Sequence, residues 1–131
     1  MTQAHTEKAT LLEHTGALAE AYSANDPQAV ASMFAENAVF EDSDGRSHVG
    51  RDSILSATRE IMSMGKLGFA AKDAVVEEAV GKVVTHWQLT ISGPAGPVAS
   101  LEGVDVLHWA DGLLVYKSTF LKTDEPKQIS A

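Results

Sequence analysis

The sequence predicts an α+β domain. Two observations carry that expectation. Three segments in the first half repeat their apolar residues with a helical period, and four long segments in the second half alternate with a period of two. A third supports it: every joint between the later segments carries a glycine turn signal. Helices first and an antiparallel meander after them is an α+β order.

Leu11, Leu12, Thr15, Leu18, Ala19 and Tyr22 recur at helical spacing and predict a first helix over about 9–24. Asn25-Asp26-Pro27 breaks it and starts another, because Asp26 suits an N-cap and Pro27 the first helical position. This second helix, about 27–35, carries Val30, Met33 and Phe34 on one side. Residues 38–42 read as a short strand, Asp44-Gly45 as a hairpin turn, and Ser47-His48-Val49 as the returning strand. Gly50-Arg51-Asp52 leads into a third helix over about 52–63, with Ile54, Leu55, Thr58, Ile61 and Met62 on one face. Four strands follow at about 69–79, 82–92, 98–109 and 113–122. Val80-Gly81, Gly93-Pro94-Ala95-Gly96-Pro97 and Asp111-Gly112 join them. Residues 1–8 and the Pro126-containing tail 123–131 are polar and read as frayed and loose. The chain is expected to be one domain, 1–131, with its ordered core over about 9–122.

At 131 residues the chain is long enough to bury a real core. Ten Lys and Arg against 18 Asp and Glu give a net charge of −8, which repels phosphate backbones and speaks against nucleic-acid binding. With no cysteine there can be no disulfide, thiolate metal site or cysteine nucleophile, and a reducing cytoplasm fits. The start, MTQAHTEKAT, lacks the apolar region of a signal peptide, and no apolar run approaches the roughly 18 residues of a membrane helix. A cytoplasmic protein is therefore expected. The five histidines show no ligand spacing such as HExxH, so no metal is expected. GRSHVG (45–50) lacks the spacing of a nucleophile elbow. With no phosphate loop or dinucleotide fingerprint, no cofactor is expected either.

The last strands carry apolar residues on both parities: Leu113 and Val115, but also Leu114, Tyr116 and Phe120. A half-solvated sheet alternates cleanly. The second face is therefore expected to be covered by a twin subunit, making a homodimer through the outer sheet face.

Three segments resemble the nuclear transport factor 2-like superfamily, which includes ketosteroid isomerase, the SnoaL-type polyketide cyclases and limonene-epoxide hydrolase. ALAEAYSANDPQAVASMFAENAVFED (17–42) matches its helix, Asp-start, helix and acid-terminated strand. HVGRDSI (48–54) matches its entry to the third helix, and EGVDVLHWADGLLVYKSTF (102–120) its last hairpin. The resemblance covers about 9–122. It implies three N-terminal helices packed in the concave face of a curved, mainly antiparallel sheet. Such a cone has a deep apolar pocket for a small hydrophobic molecule.

The resemblance also implies a site. Asp42 falls where the isomerases place a general-base Asp, and Asp105 where they place a protonated Asp that donates to the developing oxyanion. Each has a plainer reading, Asp42 as a turn carboxylate and Asp105 as a structural residue. The isomerases' first-helix Tyr is matched by Leu18, which can donate nothing; Tyr22, one turn later, or Tyr116, on the last strand, would have to replace it. Phe40, Trp87, Leu107 and Trp109 are the expected pocket walls, with Leu18, Tyr22 and Tyr116 beside them. Alternation sets Glu41, Glu102 and His108 on the opposite face. His86 depends on the register, and His14 reads as a surface residue or one at the pocket mouth. Lys117 is expected to snorkel from the outer face, the alternative being that it faces the cavity and pairs with an Asp or an anion.

The leading expectation is cofactor-independent acid/base chemistry on a hydrophobic carbonyl compound, a double-bond shift or aldol-type cyclisation on a steroid- or polyketide-like substrate. A non-catalytic ligand-binding or accessory protein is the alternative. Epoxide hydrolysis ranks lower, because Arg46, Arg51 and Arg59 all lie outside the late strands that an Asp-Arg-Asp relay would need.

Overall fold

The computed structural model describes residues 7–123 and 127–128. Helices α1 (Lys8–Ser23), α2 (Pro27–Ser32) and α3 (Arg51–Met62) pack on one face of a curved sheet. Its strands are β1 (Phe34–Glu41), β2 (Ser47–Val49), β3 (Lys66–Glu77), β4 (Lys82–Gly93), β5 (Gly96–Ala110), β6 (Leu113–Leu121) and β7 (Lys127–Gln128). The order across the sheet is β2-β1-β6-β5-β4-β3. All pairings are antiparallel except β1 with β6.

The helix signals act as their chemistry dictates. Asp26 caps α2 by accepting the Ala29 N–H at 3.1 Å, and Pro27 begins the helix. Asn25, in the left-handed region at φ 55°, offers its amide to Leu67 as a strand neighbour would: Oδ1 accepts the Leu67 N–H and Nδ2 donates to its carbonyl. This seats the end of α1 on the sheet edge. Gly50, at φ 90°, turns the chain into α3, and Arg51 then donates from Nε and Nη2 to the Phe34 carbonyl at 3.1 and 2.8 Å.

Two boundaries differ from expectation. The second helix stops at Ser32, and Phe34 opens β1 instead of closing the helix. The spacing of Val30, Met33 and Phe34 is helical, but β6 supplies a stronger partner: Leu114 N–H donates to the Met33 carbonyl at 2.9 Å, and Phe34 pairs with Leu114. The strand expected over 69–79 begins at Lys66 and gives way to a 3₁₀ turn at Glu78–Val80. Within the tail expected to be loose, Lys127–Gln128 pairs with Ser100 and Ala99 of β5. Pro126 lies outside the described residues.

Alternation along β4 and β5 buries Val83, Trp87, Leu89 and Ile91, then Ala99, Leu101, Leu107 and Trp109, on the inner face against the helices. Leu11, Leu18 and Tyr22 of α1 complete this core with Phe34 and Phe40 of β1. α1 runs obliquely across the inner face. Thr15 accepts the Trp109 indole N–H at 3.2 Å, and Tyr22 meets Phe69 edge-on at 5.4 Å.

Candidate functional site

The strand register lays the candidate residues out in rows. Across β1, β6, β5 and β4, Phe40 pairs with Lys117, Lys117 with Leu107, and Leu107 with Val83. In the next row Thr119 pairs with Asp105 and Asp105 with Thr85. Asp42 follows the Glu41–Ser118 pair by one residue, which brings it opposite Thr119. Asp42 and Asp105 thus share a row on the inner face, two strands apart, or roughly 10 Å between backbones.

Their side chains are in different situations. Asp42 Oδ1 accepts the N–H groups of Asp44 and Arg46 at 3.0 and 3.1 Å. Oδ2 lies 2.8 Å from His48 Nε2 and 3.5 Å from Arg46 Nε. Its carboxylate therefore holds the hairpin turn. Burial tends to raise its pKa, but His48 and the two backbone N–H groups, helped by Arg46, win and lower it from 3.8. A group with a lowered folded pKa contributes stability above its unfolded value and loses that contribution as pH falls through the folded one. Asp42→Asn is expected to cost about 1–2 kcal/mol near neutral pH. It is also expected to flatten the decline in stability that wild type shows below about pH 4. Urea unfolding at a series of pH values checks this; an unchanged acid limb would contradict it.

Asp105, 9% exposed, sits deeper. Its Oδ1 accepts the Thr119 hydroxyl at 2.7 Å, and Thr119 in turn accepts from Lys117 Nζ at 3.3 Å. The order of donors is fixed: ammonium to hydroxyl to carboxylate. Lys117 is 5% exposed and points inward, not along the outer face as expected. Its Nζ lies 4.3 Å from the Phe40 ring centroid and 5.0 Å from that of Tyr22, so two aromatic faces receive the charge. Burial opposes the charged form, but the Asp105 carboxylate, with Tyr22 adding to it, raises the Lys117 pKa above 10.5.

The wall residues divide. Leu18, Tyr22, Phe40, Trp87, Leu107 and Trp109 are buried on the inner side. Tyr116 is not among them. It pairs with Val39 and His108 on the outer face and donates to Glu41 Oε1 at 2.6 Å, so it cannot replace the first-helix Tyr. Trp87 Nε1, His14 Nδ1 and Tyr22 Oη are buried without a hydrogen bond of good geometry among the described residues, though Tyr22 lies close enough to Lys117 to support its charge. Buried polar groups are normally paired, so these three stand out within an otherwise apolar interior. His14 lies 5.4 Å from the Trp109 ring.

His48 carried no sequence expectation. It stacks on Phe40 at 5.5 Å, opposite it in the hairpin register, and Asp42 orients its ring. The signal was present: an acid and a histidine of like parity flanking an Asp-Gly turn lie on the same face, diagonally across a hairpin.

The inner face is more open along the Asp105 row than along the Leu107 row: Thr119 and Thr85 are half-buried and Ala74 is exposed, whereas Leu107 and Val83 are fully buried. A groove of about 220 Å³ lies elsewhere, bordered by His86, Glu102, Val104, Phe120 and Lys122. Here His86 lies 2.8 Å from Glu102 and 3.4 Å from Asp73, and Lys72 pairs with Glu102 at 3.4 Å. His86 and Glu102 face away from Asp105, so this groove does not contain the candidate acids. Among the described residues no cluster of His, Asp or Glu is placed to hold a metal ion, and no helix is long and apolar enough to cross a membrane.

Comparison with solved structures finds the same architecture repeatedly. AusH from Aspergillus nidulans superposes with a TM-score of 0.79 at 15% identity, over 91% of this chain and 88% of that one. A protein with a cystatin-like fold from Methylobium petroleophilum PM1 gives 0.77 at 13% identity, over 98% and 86%. A Catenulispora acidiphila protein with a ketosteroid isomerase-like fold, solved with trimethylamine, gives 0.71 at 18%, over 82% and 84%. At these identities the likeness is one of fold. No curated protein is similar in sequence. The sequence itself matches the SnoaL-like domain over residues 16–117, from the middle of α1 to Lys117. The chain thus belongs to the SnoaL-like domain family, within the nuclear transport factor 2-like superfamily.

Proposed function

We propose that the protein binds a small hydrophobic carbonyl compound against the inner sheet face and isomerises or cyclises it by acid/base chemistry without a cofactor. The observation that carries this reading is the chain Lys117–Thr119–Asp105, its two charged ends buried among apolar walls, with Tyr22 Oη and Trp87 Nε1 on the same inner side of the sheet. An apolar interior with a few convergent polar groups suits a ligand of this kind. Asp105 is the better base of the two acids. Among the described residues only its Oδ1 accepts a hydrogen bond, whereas both oxygens of Asp42 are occupied by the turn and His48. A base must be free to reach the proton it removes.

The experiment is a panel of steroid enones and polyketide-like β-ketones assayed with wild type, Asp105→Asn and Asp42→Asn. Asp105→Asn is expected to lose about 10²-fold or more in turnover. Asp42→Asn is expected to lose stability and keep most of its turnover. Full activity in Asp105→Asn rejects the base assignment. No turnover, with ligand-dependent rises in melting temperature, favours the non-catalytic binding reading. Epoxide hydrolysis lacks its arginine: Arg46 and Arg59 are exposed and Arg51 is spent on the Phe34 carbonyl.

A further inference from the structure

We infer that Lys117 is the group that meets the substrate's carbonyl oxygen and holds the negative charge that develops there, in the place where neither Leu18 nor Tyr116 can donate. The inference rests on the reading above and adds the residue and the substrate class: a carbonyl compound that reacts through its enolate. An ammonium has three N–H donors. One is given to Thr119 Oγ1; the other two face the rings of Phe40 and Tyr22, and the Tyr22 hydroxyl is close enough to help hold the charge. The Thr119 hydroxyl fixes the direction of the first bond by donating to Asp105, so the other two are oriented before a ligand arrives. The half-buried Thr119 and Thr85 of the adjoining row lie next to them.

The step balances without any other reagent. A base takes the proton from the carbon next to the carbonyl, and the C–H electron pair becomes the enolate C=C. The carbonyl π pair moves to oxygen, where Lys117 receives it with an N–H. Return of the proton at another carbon restores the oxygen to neutrality; alternatively the enolate carbon attacks a second carbonyl, whose π pair moves to its own oxygen, and that oxygen takes back the proton from the base. No electron enters or leaves.

The test uses 2-acetylnaphthalene as a neutral ketone and a set of substituted 2-naphthols of graded acidity as enolate mimics, with binding measured near neutral pH. Lys117→Met leaves Asp105 without its cation and is prone to unfold, so the double variant Lys117→Met/Asp105→Asn is measured beside it. Wild type is expected to bind the most acidic naphthol at least about tenfold more tightly than the least acidic. The folded double variant is expected to bind all members alike while still binding the ketone. Equal dependence on acidity in both proteins, or none in wild type, with the ketone bound by both, overturns the role of Lys117 and leaves the proposed function standing. If wild type binds neither ketone nor naphthols, both fall together.

Discussion

Lys117→Met is expected to destabilise the protein by about 3 kcal/mol, the largest loss from any single charge. Lys117 and Asp105 are both buried, and each compensates the other through Thr119. Removing the cation strands a carboxylate away from water; removing both charges strands nothing. The double variant Lys117→Met/Asp105→Asn is therefore expected to lose much less than the sum of its parts, with a coupling of about 1–3 kcal/mol in urea unfolding. Additive losses would reject the pairing. The pH dependence has a definite sign. The folded pKa of Lys117 is raised above 10.5, so its contribution is complete below that value and is lost as pH rises through the folded pKa. The Tyr116 phenol is raised above 10.0, chiefly by its hydrogen bond to Glu41, and loses its contribution over the same alkaline limb. Tyr116 is unaltered in both proteins, so the difference between wild type and Lys117→Met isolates Lys117.

Gly103→Ala is expected to cost about 3 kcal/mol, unusual for one methyl group. A Cβ at Gly103 would lie 2.6 Å from the Phe120 carbonyl oxygen and 2.7 Å from two atoms of the Trp87 ring. The backbone oxygen cannot yield without opening the β5–β6 ladder, so the indole must move as well. Trp87 pairs with Gly103 across β4 and β5 and packs edge-on against Phe69 at 5.3 Å. A shift in Trp87 fluorescence is expected in the folded variant, alongside a lower unfolding midpoint. An unshifted spectrum with wild-type stability would show that the indole does not depend on the bare backbone.

Much of the fold is legible in the sequence. Pro27, Gly50 and the Asp-Gly turns punctuate the chain through local backbone chemistry, which one sequence states directly. What escaped depends on register. Between the pairs His108–Tyr116 and Trp109–Leu114, β6 carries an extra residue, Val115. Leu114, an even position, and Lys117 and Thr119, odd ones, therefore share the inner face, and no single parity reads this strand. The inward turn of Lys117 was hidden by that shift, as was the outward turn of Tyr116. Asp42 was legible as a position but not as a participant, since its partners Arg46 and His48 reach it only once the hairpin closes. Gly103, inside an apolar strand, was a usable sign of close approach.

The lone parallel pairing, β1 beside β6, has a kinetic meaning. It joins segments as far apart as the Glu41–Tyr116 contact, 75 residues along the chain. Such a closure is entropically costly until the intervening meander has drawn the ends together, so β1 is expected to dock late in folding. Phe40 and Asp42 come from one side of that seam, Lys117 and Thr119 from the other. The candidate site is thus expected to be the last part of the domain to form, and a chain still emerging from the ribosome lacks it until the final hairpin is in place.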